Sequence, residues 1–297
     1  MMKDTFSNMH PFINFIFFAL TIGFTMFIMN PVCLAVSFLC ALVTALYLNG
    51  KKAVRLSLVF LLPMILLIVL VNPVFNHEGM TILTYFPWDN PLTLESIVYG
   101  IASAFLLSST VLWFSSFNAV ITSDKVVFLF GRIMPSLSLV ISMALRFVPR
   151  FSAQMKLVRN AQHTIGRDIN EGTLFQRIRN AVKILSIMIT WSLENAIETA
   201  DSMKSRGHGL KGRTSYSLYK FDKRDAFMLC TILFTGLVLM ILLFTNAIKF
   251  RYYPSIKGDL FTVQSVIFYM FYTFLMLIPL SVNIGEGIKW KHMQSRI

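Results

Sequence analysis

Between Thr5 and Gly50 the chain carries no Asp, Glu, Lys or Arg. A run of that length holds two spans of about 18–20 residues each, the length a helix needs to cross the hydrocarbon core of a bilayer. Asn30-Pro31 near its middle supplies the turn, because proline removes a donor and pushes the residue before it away from the helical region. Four more uncharged runs follow at Leu56–His77, Ser96–Ser123, Ala226–Ile248 and Leu260–Gly285. The pattern predicts an all-α integral membrane protein with about six transmembrane helices. The 28 Phe and a mean hydropathy of +0.66 lie well above an ordinary soluble domain and agree with that class. The first run leads straight into a second without a small-residue cleavage pattern, so it reads as a span and not as a removable signal peptide.

The charge is concentrated outside those runs. Residues 123–224 hold 17 Lys and Arg against 7 Asp and Glu, which is +10 of the chain's +13. Lys51, Lys52 and Arg55 follow the second span, and Lys289, Lys291 and Arg296 come last. Asn76–Glu95 has no Lys or Arg but carries Glu78, Asp89 and Glu95. The positive-inside rule then expects both termini and the basic block in the cytoplasm and the Asn76–Glu95 loop outside. Lys249, Arg251 and Lys257 run against that rule. A plain topology signal, partly neutralised by anionic lipid, explains the basic excess without any further role. The expected organisation is residues 1–122 with four spans, a cytoplasmic block at 123–224, and residues 225–297 with two spans. In the outer loop, Thr, Ile, Tyr and Phe flank Pro87-Trp88-Asp89-Asn90-Pro91, which predicts a short extended hairpin with Tyr85 and Trp88 at the membrane interface.

The basic block has its own internal pattern. Pro135 is placed to open one helix and Pro149 the next, since proline suits a first turn and not a helix interior. Ile133–Leu145 is apolar but too short to span, so it is expected against the bilayer surface or under the spans. From Pro149, apolar Phe151, Met155, Val158, Ala161 and Ile165 recur at steps of three or four. Ile189, Leu193, Ala196, Ala200 and Met203 do the same, with Glu194, Glu198, Asp201 and Lys204 off the stripe. Both read as amphipathic helices. Each runs into a glycine, Gly166 or Gly207, where a left-handed cap costs no Cβ penalty. Arg206 falls in the last turn of one helix and Arg167 just past the other. A cation at a helix C-terminus contributes about 0.3–1 kcal/mol, which is the ordinary explanation for a lone Arg-Gly. Two such ends in one block also suit a rigid helix offering a guanidinium to carboxylates or carbonyls of a partner.

Several segments carry a family likeness. Met143-Ala144-Leu145-Arg146-Phe147-Val148-Pro149, the Ala161-Gln162 pair and Met203-Lys204-Ser205-Arg206-Gly207-His208-Gly209 resemble the transmembrane T component of energy-coupling factor transporters. Asn72-Pro73, Thr93-Leu94-Glu95 and the Arg213-Thr214-Ser215-Tyr216 run leading to Asp225 add to the likeness, which covers nearly the whole chain in order. The resemblance implies two coupling helices whose Ala-Arg-Gly ends dock into two cytoplasmic ABC ATPase subunits, and a separate membrane-embedded S component that binds the substrate. It also implies a multi-pass protein of a bacterial cell membrane, in contact with lipid and not with nucleic acid. On this chain the docking residues would be Ala161, Gln162, Gly166, Arg167, Ser205, Arg206 and Gly207, supported by Arg146, Pro149 and Met203. Both signatures depart from the family pattern. Ser205 replaces the alanine of the second, and Ile165 stands where the first has its arginine, leaving Arg167 beyond Gly166 as the nearest cation.

Chemistry within the chain itself is not expected. Histidines at 10, 77, 163, 208 and 292 lack metal spacing, and no Gly-x-x-x-x-Gly-Lys-Ser/Thr loop is present to cradle a phosphate. ATP would be bound and hydrolysed by partners, so the chain is read as a non-enzyme without cofactor. Cys33, Cys40 and Cys230 all fall in expected spans as small apolar residues. No Asp, Glu, Lys or Arg sits in a span away from its ends, which weighs against an ion-coupled carrier. A stand-alone carrier or channel remains the alternative, since neutral backbone sites can bind substrate.

Overall fold

A computed structural model describes residues 5–85, 90–167, 172–208, 210, 219–258 and 260–294. The chain is an all-α, multi-pass integral membrane protein with two small ribbons. Its described elements are α1 (Pro11–Phe27), α2 (Pro31–Asn49), α3 (Lys51–Leu56), a π-helical turn (Ser57–Leu61), α4 (Leu62–Phe75), β1 (Ile82–Tyr85), β2 (Pro91–Thr93), α5 (Leu94–Val120), α6 (Ser123–Ile133), α7 (Pro135–Thr164), α8 (Leu174–Ser205), α9 (Lys223–Phe244), β3 (Phe250–Arg251), β4 (Lys257–Gly258) and α10 (Val263–Gln294). They fall into two compact units, Met1–Val126 with Tyr219–Ile297, and Val127–Leu218.

The first unit packs α2 against α5 and α10, α4 against α5, α1 against α5 and α9, and α9 against α10. The starts are set by local chemistry. Pro11 and Pro31 occupy first-turn positions, and the Asn30 side chain accepts the Val32 N–H at 3.0 Å. Phe6, Phe17, Phe18 and Trp113 form an edge-to-face aromatic cluster at the centre. The buried indole N–H of Trp113 donates to Ser37 Oγ at 3.0 Å, and Ser37 in turn shares a 2.9 Å bond with Thr25. Asn72 and Pro73 mark where α4 meets α5: a Cβ on Gly100 would lie 3.1 Å from Asn72 Cβ, so glycine permits that approach. The wide turn at Ser57–Leu61 precedes Pro63, which has no N–H to offer the Val59 carbonyl.

The ends of this unit are tied by polar side chains. Lys125, 6% exposed, donates to the Ser7 carbonyl, to Ser7 Oγ at 3.2 Å and to the Val120 carbonyl at 2.8 Å, so it caps the C-terminus of α5. The Phe6 N–H donates to Asn283 Oδ1 at 3.0 Å. At the opposite end of α5, the Glu95 carboxylate accepts from Thr81 N–H at 3.2 Å and Thr81 Oγ1 at 2.5 Å. β1 and β2 pair antiparallel there, giving the hairpin expected from the sequence; Trp88 lies outside the described residues, as does the Arg213–Tyr216 run. Tyr252, on the segment between α9 and α10, donates to the Met29 carbonyl at 2.8 Å.

The second unit holds α7 and α8. Two expectations change here. Pro149 does not open a helix: α7 runs unbroken from Pro135 to Thr164 with Pro149 inside it. The missing N–H forfeits one bond to Leu145, but the apolar run before it and the amphipathic run after it still form one rod. Helix α8 begins at Leu174, well before Ile189 where the expected stripe starts, because Thr173 and Gln176 close a reciprocal capping box. Among the described residues six helices are long and apolar enough to cross a membrane: α2, Lys51–Phe75, α5, Ser136–Thr164, α9 and α10. The number agrees with the sequence reading, but the membership differs. Pro11–Phe27 is apolar yet only 17 residues long, and Ser136–Thr164 takes its place.

Candidate functional site: two glycine-capped helix ends

The ends of α7 and α8 share the two backbone bonds that close them. At the first, the Gly166 N–H donates to the His163 carbonyl and the Arg167 N–H to the Gln162 carbonyl, both at 2.9 Å. At the second, the Gly207 N–H donates to the Lys204 carbonyl at 2.9 Å and the His208 N–H to the Met203 carbonyl at 3.0 Å. This is the Schellman turn, which requires a left-handed residue. Gly166 and Gly207 supply it at φ 72° and 70°. The hydroxyls just inside each turn fold back too: Thr164 Oγ1 donates to the Ala161 carbonyl at 2.8 Å and Ser205 Oγ to the Ser202 carbonyl at 2.9 Å. Ser205 therefore spends its hydroxyl on its own helix and presents a small, exposed end.

Because the turns match, their side chains can be compared position by position. Ile165 and Arg206 both occupy the C-cap, and Arg167 corresponds to His208, beyond the glycine. Arg167 thus stands two residues past Ile165 and outside the helix, so the rotation of about 100° per helical residue does not set its direction. Arg206, Arg167 and Ile165 are all exposed, Ile165 at 64%. Ala161 is exposed on the last turns of α7, whereas Gln162 and Met203 are half-buried and anchor the turns through their carbonyls. Gly207 is the tighter of the two: a Cβ there would lie 2.9 Å from Leu210 Cδ1, while Gly166 faces open space.

Further along, the two helices are clamped together by rings. Phe147 stacks on Trp191 with centroids 5.7 Å apart, Phe151 lies 6.4 Å from the same indole, and the Arg150 guanidinium sits 5.7 Å from its centroid. Arg146 and Pro149 flank this clamp on α7 and are exposed, while Ile184 and Met188 are buried on α8. Sequence reasoning put Phe151 on an amphipathic helix but parted it from Phe147 by a helix start at Pro149, and it missed Trp191 and Arg150; an aromatic and a cation midway along amphipathic helices were the available signal. It also missed Lys183. The Arg167 guanidinium, with partial desolvation and Arg179, holds the Lys183 ammonium below its ordinary pKa.

Residues 3–216 match the family model described as CbiQ, cobalt transport protein. The chain is similar to the energy-coupling factor transporter transmembrane protein EcfT of Lactobacillus helveticus, at 41% identity over 106 residues, covering 35% of this chain and 38% of that protein. The protein of the same name from Lactococcus lactis is 33% identical over 106 residues, covering 35% and 40%. That from Lacticaseibacillus paracasei is 29% identical over 181 residues, covering 60% and 69%. The chain thus spans about two fifths of the length of the first two of these curated relatives.

Proposed function

This chain belongs to the CbiQ cobalt transport protein family, and on that premise we propose that it is the T component of an energy-coupling factor importer, the subunit that turns ATP-driven motion into substrate uptake. The relatives named as energy-coupling factor transporter transmembrane proteins support this reading. In it, two cytoplasmic ABC ATPase subunits bind and hydrolyse ATP, and this chain binds no cofactor and performs no reaction. A membrane-embedded S component binds the micronutrient, a vitamin or a metal ion. Both termini and the basic block face the cytoplasm of a bacterial cell membrane, a placement that the excess of Lys and Arg in residues 123–224 supports.

The observation that carries the proposal is the pair of matching Schellman ends on two long helices clamped at Trp191. A displacement applied at Gly166 or Gly207 travels along a rod and meets its partner at the aromatic clamp. Arg206 makes the main charged contact, and Gly207 and Ser205 keep the approach close because neither offers bulk. Arg146, Pro149 and Met203 support the rods. The membrane helices then tilt or release the S component, exposing its substrate alternately to either side.

Removing one charged hydrogen bond costs about 1.5–3 kcal/mol, or roughly tenfold or more in affinity. Arg206→Ala should therefore lower the copurification of ATPase subunits from gently solubilised membranes, or uncouple hydrolysis from uptake. Uptake at the wild-type level in that variant overturns the role given to Arg206. Recovery of the chain alone as an active oligomer would favour a stand-alone carrier or channel instead.

A further inference from the structure

Lys249, Arg251 and Lys257, on the segment between α9 and α10, take no part in the function proposed above. That segment leaves α9 at a sharp turn. Asn246, at φ 55°, and Ala247 donate their N–H groups to the Leu243 and Leu242 carbonyls at 3.0 and 3.1 Å. Ser265 Oγ, in the first turn of α10, donates to the Ala247 carbonyl at 2.8 Å, which ties the end of one helix to the start of the other. Both helices are long and apolar enough to cross a membrane. The β3–β4 ribbon between them is therefore held at one membrane face, whichever side that face is on.

The ribbon has two unlike faces, since successive strand residues point to opposite sides. Phe250 and Tyr252 lie on one, their rings 4.8 Å apart, and Tyr252, 5% exposed, also meets Tyr99 at 5.6 Å. That face is packed on the bundle. Gly258 lets β4 close on β3, because a Cβ there would lie 2.6 Å from Phe250 Cδ2. The other face carries Arg251 directly across from Lys257, with Lys249 two residues before Arg251. All three are exposed. Like charges placed opposite each other destabilise a ribbon. Among the described residues no carboxylate forms an ion pair with any of the three; Glu78 is not paired with them, and Glu95 is engaged by Thr81. Asp259 lies outside the described residues. Large apolar side chains stand exposed on the same segment and the helix ends beside it: Phe244, Phe261 and Val263.

We infer that Lys249, Arg251 and Lys257 form a seat for the phosphate of an anionic lipid headgroup. A phosphate between Arg251 and Lys257 relieves their repulsion, and the guanidinium can grip two of its oxygens. The acyl chains of the same lipid cover Phe244, Phe261 and Val263, which a soluble acidic partner would leave wet. A lipid held there clamps the junction of α9 and α10 from outside the bundle. The inference needs only that these two helices cross the membrane, and it stands apart from the coupling role.

The test uses the full chain in nanodiscs of phosphatidylcholine with and without phosphatidylglycerol. It reads hydrogen exchange at the amides of residues 249–258 and the phosphatidylglycerol retained in native mass spectrometry. Exchange in the wild type should slow in the anionic discs. Lys249→Gln with Arg251→Gln and Lys257→Gln should lose that protection and at least about tenfold in affinity for the lipid, since each cation at a lipid surface contributes about fivefold. Lys249→Arg with Arg251→Lys and Lys257→Arg should keep most of both. Equal exchange in the two kinds of disc overturns the inference, and so does protection that survives in the neutral chain. The same protection given by inorganic phosphate in phosphatidylcholine discs means that a free ion is the ligand, which overturns the lipid. Protection that appears only after Asp259→Asn means that this carboxylate already occupies the cations, and that overturns it as well. Should the neutral chain fail to fold, the wild type still decides, because protection unaffected by raised salt is not made by exposed cations.

Discussion

Trp191 of α8 lies on Phe147 of α7 with 27° between the ring planes, near the middle of both helices. A clamp at that place makes one lever of two rods. Either rod alone would bend or roll about its own axis when pushed at the end, since its other faces are largely exposed.

Trp191→Ala removes the stack and the guanidinium contact together. The loss should be about 2 kcal/mol, below that of a fully buried tryptophan because this one is half-buried. Hydrogen exchange should quicken at the amides near Phe147 and Phe151. Uptake should drop while ATPases still copurify, since both helix ends are intact. Trp191→Phe should keep most of the function.

Alanine at Gly166 or Gly207 must adopt a positive φ, which costs about 1–2 kcal/mol for a residue with a Cβ. Gly207→Ala should be the worse of the two, because its methyl also meets Leu210. Exchange rates of the His208 and Arg167 amides, each donated across its turn, report the damage directly. Adding Leu210→Ala to Gly207→Ala should bring the two variants level.

Those glycines were legible in the sequence because an amphipathic stripe that runs into a glycine leaves few other conformations for the chain. Asn30-Pro31 was legible as a turn between spans, and the structure makes it a cap followed by a first-turn proline. The continuity of α7 through Pro149 was not: a missing donor looks like a boundary in sequence, and only the packing around it decides whether the helix goes on. The early start of α8 had a signal in Thr173 and Gln176, but the long apolar positions Leu174, Phe175 and Ile178 pointed to no particular face.

Lys125→Met keeps the length of the side chain and deletes its donors. The Ser7 and Val120 carbonyls then lose a charged partner in a buried place, and the cost should be about 1.5–3 kcal/mol. Thermal unfolding in detergent would show it as a lower midpoint. Equal stability of Lys125→Met and wild type would mean that water or lipid headgroups replace the ammonium.

Tyr252 gives the fold an alkaline limit. Burial, helped by Tyr99, pushes its phenol up to about 12, above the roughly 10 of an unfolded tyrosine. A folded-state pKa raised in this way stabilises the fold fully below pH 10, and the contribution disappears as pH climbs towards 12. The melting midpoint should fall across that window. Tyr252→Phe should begin lower, by about 1 kcal/mol for the lost bond to Met29, and then vary less with pH.

The bond from Phe6 to Asn283 spans 277 positions of sequence. A ribosome delivers the first of these residues long before the second exists, so the start of the chain waits, with its amide unclaimed, until α10 is inserted. The contact opened at Phe6 is closed by α10. Chains cut short before Asn283 should leave the segment around Phe6 loose, and a protease that attacks loose segments would then cut them there and spare chains that carry Asn283.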